Sequence, residues 1–167
     1  MNKLIKRTRS AVLVLLTHKI ALPLLRIFRR PAVFNYTRDE LLLFPSGTLG
    51  KDLGIFLEQR NLPLLKHYTR HDLKHVLLSF DTTDEGEVCL QSFMLGNGRV
   101  SFPVLATVIY GILTMPEYWR PMKKAFHQGR HCTAFHHWKW NELLTEPTIN
   151  LRNLIFKINT DEQANLV

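Results

Sequence analysis

The stretch PLLKHYTRHDLKHVLLSFDTTDEGEVCLQSFMLGNG, Pro63 to Gly98, decides the fold class. Proline is tolerated in the first turn of a helix, so a helix is expected to open near Pro63 and run to about Phe80. A short turn, Asp81–Glu85, follows. Asp84 and Glu87 have the spacing of a capping box, which predicts a second helix ending at Gly96-Asn97-Gly98. Neither half shows the sustained alternation or the hairpin turns that strands require.

Working outward, the same punctuation repeats. Pro45-Ser46-Gly47 precedes a helix expected from Thr48 to Arg60, and Asn61-Leu62-Pro63 breaks it. The uncharged run Val100–Met115 is too short to span a membrane and reads as a buried core helix, able also to line a pocket for an apolar ligand. Pro116 opens a helix to Gln128 with Gly129 as its stop, and residues 131–144 and 148–158 read as two closing helices around the turn Glu146-Pro147. The expected architecture is all-α: one compact multi-helix domain, 31–158, preceded by a basic helical segment, 1–30, and followed by a polar tail, 159–167.

The chain has 167 residues and a formal charge of +8, and that charge is confined. Residues 1–30 hold eight of the 22 basic residues and none of the 14 acidic ones, so the rest of the chain is formally neutral. A neutral body offers no extended cationic surface, and nucleic acid is not expected as a partner. The acid-free segment reads either as an ordinary first helix, kinked at Pro23, or as a membrane-surface attachment whose bases reach anionic head-groups. His18 and Lys19 interrupt its apolar middle, which argues against a membrane span, and no small-residue cleavage site follows. Two cysteines, Cys89 and Cys132, give neither a disulfide framework nor a paired metal motif; both are expected to be small buried hydrophobes in a reducing compartment.

Chemistry concentrates at His71, Asp72 and His75. On a helix the two imidazoles lie about 40° apart on successive turns, the spacing by which one helix offers two nitrogens to one metal ion. The glutamate of a zinc-protease helix is missing, because Asp72 follows His71. Lys66, Arg70 and Lys74 recur every fourth residue and mark an expected solvated stripe, with Asp72 about 160° away and therefore pointing inward. A buried carboxylate needs donors, an arginine or a cation. If the next helix packs antiparallel, Glu87 can approach His75. Two histidines and two carboxylates, His71, Asp72, His75 and Glu87, suit zinc or another divalent metal. His67 and His127, which form further i,i+4 pairs, read as a solvent-edge and a helix-end residue.

The string His-Asp-x-x-His, eleven residues and then Glu, written here HDLKHVLLSFDTTDEGE from His71 to Glu87, resembles the signature of the coenzyme Q biosynthesis protein 4 family. The similarity continues upstream in Pro45-Ser46-Gly47-Thr48-Leu49-Gly50 with Phe56-Leu57. Downstream it includes Leu90-Gln91-Ser92-Phe93, Gly129-Arg130, Trp140-Asn141-Glu142-Leu143-Leu144 and Leu151-Arg152-Asn153-Leu154. It spans about Pro45 to Ile158.

The resemblance implies an all-α fold, peripheral membrane association and a part in quinone biosynthesis, with His71, Asp72, His75 and Glu87 as zinc ligands. It implies work on a polyprenylated ring precursor, either in oxidative removal of the ring carboxylate or as a non-catalytic scaffold for other quinone-biosynthesis enzymes, with a homodimer as a further possibility. Phe93, Phe102, Leu105 and Ile109 are the apolar residues expected to meet the isoprenoid tail. The chain is shorter than mitochondrial members, which points to a bacterial homologue on the cytoplasmic face of the inner membrane; a eukaryotic source would place it on the matrix side. A phosphohydrolase of the His-Asp superfamily fits less well, since its upstream histidine would have to be His18.

Overall fold

Thr37 and Glu40 form a reciprocal cap. The Thr37 backbone N–H donates to the Glu40 carboxylate at 2.7 Å, and the Thr37 hydroxyl accepts from the Glu40 N–H at 3.2 Å. This opens α1, Arg38–Leu42, in a computed structural model that describes residues 34–157 and Ala11. Six further α-helices follow among the described residues: α2 Leu49–Gln59, α3 Thr69–Leu78, α4 Asp84–Gly96, α5 Phe102–Thr114, α6 Trp119–His131 and α7 Thr148–Phe156. Short 3-10 turns occupy Pro116–Tyr118 and Trp140–Leu143. The only β feature among the described residues is an isolated bridge between Thr48 and Pro147, so the described residues are all-helical in class, as expected. Apart from Ala11, the expected segments 1–30 and 159–167 lie outside the described residues.

The described chain divides into two compact units, Asp81–Arg130 and a discontinuous one built from residues 34–80 and 131–157. In the discontinuous unit, α1 packs on α2, α2 on α3, and α3 on α7. Leu49, Leu53 and Leu57 on one stripe of α2 meet a core that includes Leu73, Leu77 and Ile155. The start of α2 is stitched to the start of α7. The Leu49 and Gly50 N–H groups, which have no partner inside their own helix, donate to the carbonyls of Glu146 and Leu144 at 2.9 and 2.8 Å. The Thr148 N–H donates to Gly47 O at 2.8 Å, and its hydroxyl donates to the Asp52 carboxylate at 2.6 Å. An added Cβ at Gly50 would lie 3.0 Å from Leu144 O, so Gly50 is a packing requirement of this junction, whereas Gly47 has open space and is required by its φ of 80°.

The Asp81–Arg130 unit holds α4, α5 and α6. Gly129, expected as a helix stop, instead sits inside α6, where an added Cβ would come 2.1 Å from the carbonyl oxygen of Phe93. Gly96 approaches the carbonyl of Phe126 in the same way, and the Asn97 amide donates to Gly129 O at 3.1 Å. Backbone-to-backbone contact of α4 and α6 explains both glycines.

Four other expectations change. The helix expected from Pro63 starts at Thr69, because Tyr68 N–H and Thr69 N–H both turn onto Leu65 O after a left-handed Asn61. The helix expected over residues 131–144 is reduced to the 3-10 turn Trp140–Leu143, with an irregular path before it. Thr133 N–H leaves to Ile155 O at 2.8 Å, and Phe135 is drawn wholly into the core beside Trp138 and Trp140. Lys74, placed on a solvated stripe, is buried, since α3 is enclosed along its length from Asp72 to Leu78. Helix α5 is buried only on the side of Val104, Thr107, Val108 and Gly111; Phe102, Ile109 and Leu113 are exposed.

Cys89 is buried as expected, whereas Cys132 is half-buried. Burial first, and then the charges of Glu85 and Asp81, push the Cys89 thiol up to about 11, and burial also raises Cys132. Native protein at pH 8 is therefore expected to alkylate slowly at Cys132, and at Cys89 only on unfolding, by mass spectrometry after iodoacetamide. An unfolded thiol releases its proton near 9 while the folded Cys89 keeps it to about 11, so stability should fall as pH rises through that interval. Rapid double alkylation of folded protein would contradict this.

Candidate metal centre

Helix α3 owes its position to its far end. Its last carbonyls have no partner inside the helix. The Arg152 guanidinium of α7 donates to Leu77 O at 3.1 Å and to Val76 O at 2.7 Å. Ser79 then adopts a left-handed conformation, φ 57°, and closes the helix. This turn brings Phe80 O to within 3.0 Å of His75 Nδ1. A carbonyl only accepts, so Nδ1 carries the proton and, in the neutral ring, Nε2 keeps its lone pair.

That lone pair faces His71. The two Nε2 atoms lie 2.9 Å apart, with His71 as the donor in this tautomer pair. The rings are held from outside as well. Tyr68 packs on His71 with centroids 4.4 Å apart, and Phe56 stacks on His75 at 6.0 Å under the Arg60 guanidinium. His75 is almost wholly buried and His71 half-buried.

Glu87 stands on the first turn of α4, and the local sequence fixes it there. Thr83 caps the helix by accepting from Gly86 N–H at 3.2 Å, while the Asp81 carboxylate accepts from the Thr83 N–H at 2.9 Å and from its hydroxyl. The cap is thus Thr83 rather than Asp84. An added Cβ at Gly86 would lie 2.1 Å from Asp81 Oδ1 and 2.2 Å from Asp81 O. One helical turn on, the Gln91 amide donates to Glu87 Oε1 at 3.0 Å and orients the carboxylate. Gly86→Ala should therefore displace Glu87 and weaken binding of added Zn²⁺ by about tenfold or more in competition with a chelating dye. Unchanged binding would show that the turn does not set the site.

His71, His75 and Glu87 each offer one ligand atom, and these atoms all lie within 4.8 Å of one another. Two imidazole nitrogens and one carboxylate oxygen are a donor set that suits zinc and other divalent first-row ions, with room for further ligands. Ligand atoms on bonds of about 2.0–2.1 Å stand roughly 2.8–3.0 Å apart at right angles and roughly 3.3–3.4 Å apart in a tetrahedron, so the 2.9 Å nitrogen pair suits the first and needs a slight opening for the second. The residues fit a metal. Asp72 is buried, as the helical wheel placed it, and is not among the three residues of this cluster. Gly86, Gln91, Arg152 and the Phe80 carbonyl complete the surroundings of the site beyond the four residues the sequence points to, and of these only the proximity of Gly86 and Gln91 to Glu87 is visible in the sequence.

The expected tail-binding residues are placed otherwise than as one wall. Phe93 is fully enclosed in the core, while Phe102, Leu105 and Ile109 are exposed on α5. A cavity of about 390 Å³ does lie among α4, α5 and α6. It is lined by Leu95, Val108, Ile112, Trp119, Met122 and Phe126, with Ser92 and Lys123 as its polar members.

No family model matches the chain, and no curated protein matches it. Among solved structures it is similar to a crystal structure from Nostoc punctiforme PCC 73102, of a protein provisionally described as a ubiquinone biosynthesis protein. The TM-score is 0.57 with 22% identity, over 93% of this chain and 82% of that one. The two chains share a fold. Among the described residues, no helix is long and apolar enough to cross a membrane.

Proposed function

We propose that this chain is a membrane-peripheral quinone-biosynthesis protein of the coenzyme Q biosynthesis protein 4 type. It holds the ring of a polyprenylated precursor beside a divalent metal, zinc before others, for oxidative removal of the ring carboxylate. The observation that carries this reading is the convergence of His71, His75 and Glu87, three of the four signature residues, on one point. The fold shared with the Nostoc protein supports it. In this reading Asp72 acts beside the three ligands, residues 1–30 contribute membrane attachment, and other quinone-biosynthesis enzymes are partners at the cytoplasmic face.

When bound, such an ion supplies a Lewis acid toward a carboxylate or phenolate oxygen. The chain's own groups do the positioning. Phe80 O keeps the Nδ1 proton of His75 in place and leaves Nε2 as the ligand atom, and Gln91 holds one oxygen of Glu87. The rings of Tyr68 and Phe56 pack beside the two imidazoles and restrict them.

The test is a quinone profile. Deleting the gene in a quinone-producing host should deplete the mature quinone and accumulate a prenylated, carboxylated precursor. The wild type should restore it and His71→Ala/His75→Ala should not. Restoration by the double variant assigns a scaffold role, and an unchanged profile in the deletion strain overturns the reading.

A further inference from the structure

We propose that α5 and α6 together form a face that lies on an anionic lipid bilayer, separate from any attachment made by residues 1–30. It rests on exposed surface and charge alone, and is therefore independent of the metal centre. Along α5, Phe102, Leu105, Ile109, Ile112 and Leu113 fall within about 100° of arc, opposite the buried side of the helix. They are 37–75% exposed, and Leu113 is the most open of them. A contiguous apolar stripe of this kind on a water-facing surface marks an interaction site.

Helix α6 supplies the charge. Arg120, Lys123, Lys124 and Arg130 fall within about 120° of arc on its exposed side, while Met122, Ala125 and Gly129 are buried opposite. No acidic residue occurs between Glu117 and Glu142. The two faces meet at Trp119, which is 52% exposed and donates its indole N–H to Ile112 O at 2.8 Å. Ile112, Trp119 and Lys123 also line one cavity, so apolar stripe and cationic row adjoin.

An apolar stripe bordered by ammonium and guanidinium groups, with an indole at the boundary, matches the layering of acyl chains, interface and anionic head-groups. The cationic row selects an anionic partner over a second copy of the same row. The cavity between the two helices then reaches the surface at the bilayer, where an apolar molecule could enter it.

The full chain carrying Cys132→Ser is labelled with bimane at Leu113→Cys or, as a control on α2, at Glu58→Cys. It is mixed with vesicles of brominated phosphatidylcholine with or without phosphatidylglycerol. Strong quenching at position 113, little at 58, and loss of quenching without phosphatidylglycerol are expected. Arg120→Gln/Lys123→Gln/Lys124→Gln, and separately Ile109→Glu, should each weaken vesicle partitioning by about tenfold or more with unchanged circular dichroism and melting temperature. Three results would overturn the proposal: pelleting without quenching at 113, equal quenching at both sites, or a label at 113 already shielded without vesicles. The last would mean that another part of the chain or a second copy covers the stripe.

Discussion

His75→Ala is expected to strip the protein of its divalent metal. Three features make this the most damaging single change at the site. It removes one of the three ligand atoms that converge among the described residues, it takes away the ring that His71 meets at 2.9 Å, and it removes the Nδ1–H that donates to Phe80 O. Loss of a group that merely orients a metal ligand typically costs about ten- to a hundredfold in metal affinity, so loss of the ligand itself should exceed about a hundredfold. Purified in parallel and assayed by inductively coupled plasma mass spectrometry, wild type should retain near-stoichiometric metal and His75→Ala only background. His67→Ala, at an exposed position on the preceding turn, should match the wild type. Equal metal in wild type and His75→Ala would remove the metal from the proposed function. Binding of metal to the folded state alone should also raise the melting temperature of wild type, but not of the variant, when Zn²⁺ is added.

Gly129→Ala should destabilise the protein more than any conservative surface change. Its new methyl group would sit 2.1 Å from the Phe93 carbonyl oxygen, a backbone atom that cannot swing aside like a side-chain end. Separating the helices would also break the bond from the Asn97 amide to Gly129 O. Overpacking in cores costs about 1–3 kcal/mol, and a clash with main chain places this substitution at or above about 3 kcal/mol. Urea denaturation should show the loss as a lower midpoint. Gly98→Ala, with nothing within 4 Å of its added Cβ and only a left-handed φ of 88° to oppose it, should cost clearly less. Similar losses at the two positions would mean that α4 and α6 do not touch through their backbones.

The metal centre and the α4–α6 contact differ in how far a sequence encodes them. Helix α4 was legible because its ends are chemical: acidic residues and threonine at the start, Gly-Asn-Gly at the finish. The pairing of His71 with His75 was legible because it is a local consequence of helical pitch. Gly129 was misread because a stopping glycine and a glycine under another helix look alike in sequence; only the carbonyl above it tells them apart. Lys74 failed for a related reason. A wheel ranks faces by polarity, but it cannot say that a helix is covered all round. The irregular path from Cys132 to Lys139 follows from tertiary anchors, Phe135 and the Thr133–Ile155 bond, that no local window contains. Glu87 was legible through its place at the start of the next helix, a short turn beyond His75, and the family pattern added to that reading.

The stitch between the start of α2 and the start of α7 bears on the order in which the chain acquires its structure. Four hydrogen bonds there join residues 47–52 to residues 144–148, across the whole of Asp81–Arg130. On a ribosome, α1, α2 and α3 emerge long before their missing wall, whereas α4, α5 and α6 emerge as one continuous run whose contacts are close in sequence. Closing a loop of that length carries an entropic cost that only the completed core repays, so the discontinuous unit must mature last. Its unfinished helices are then the stretch with the longest need for chaperone protection during synthesis.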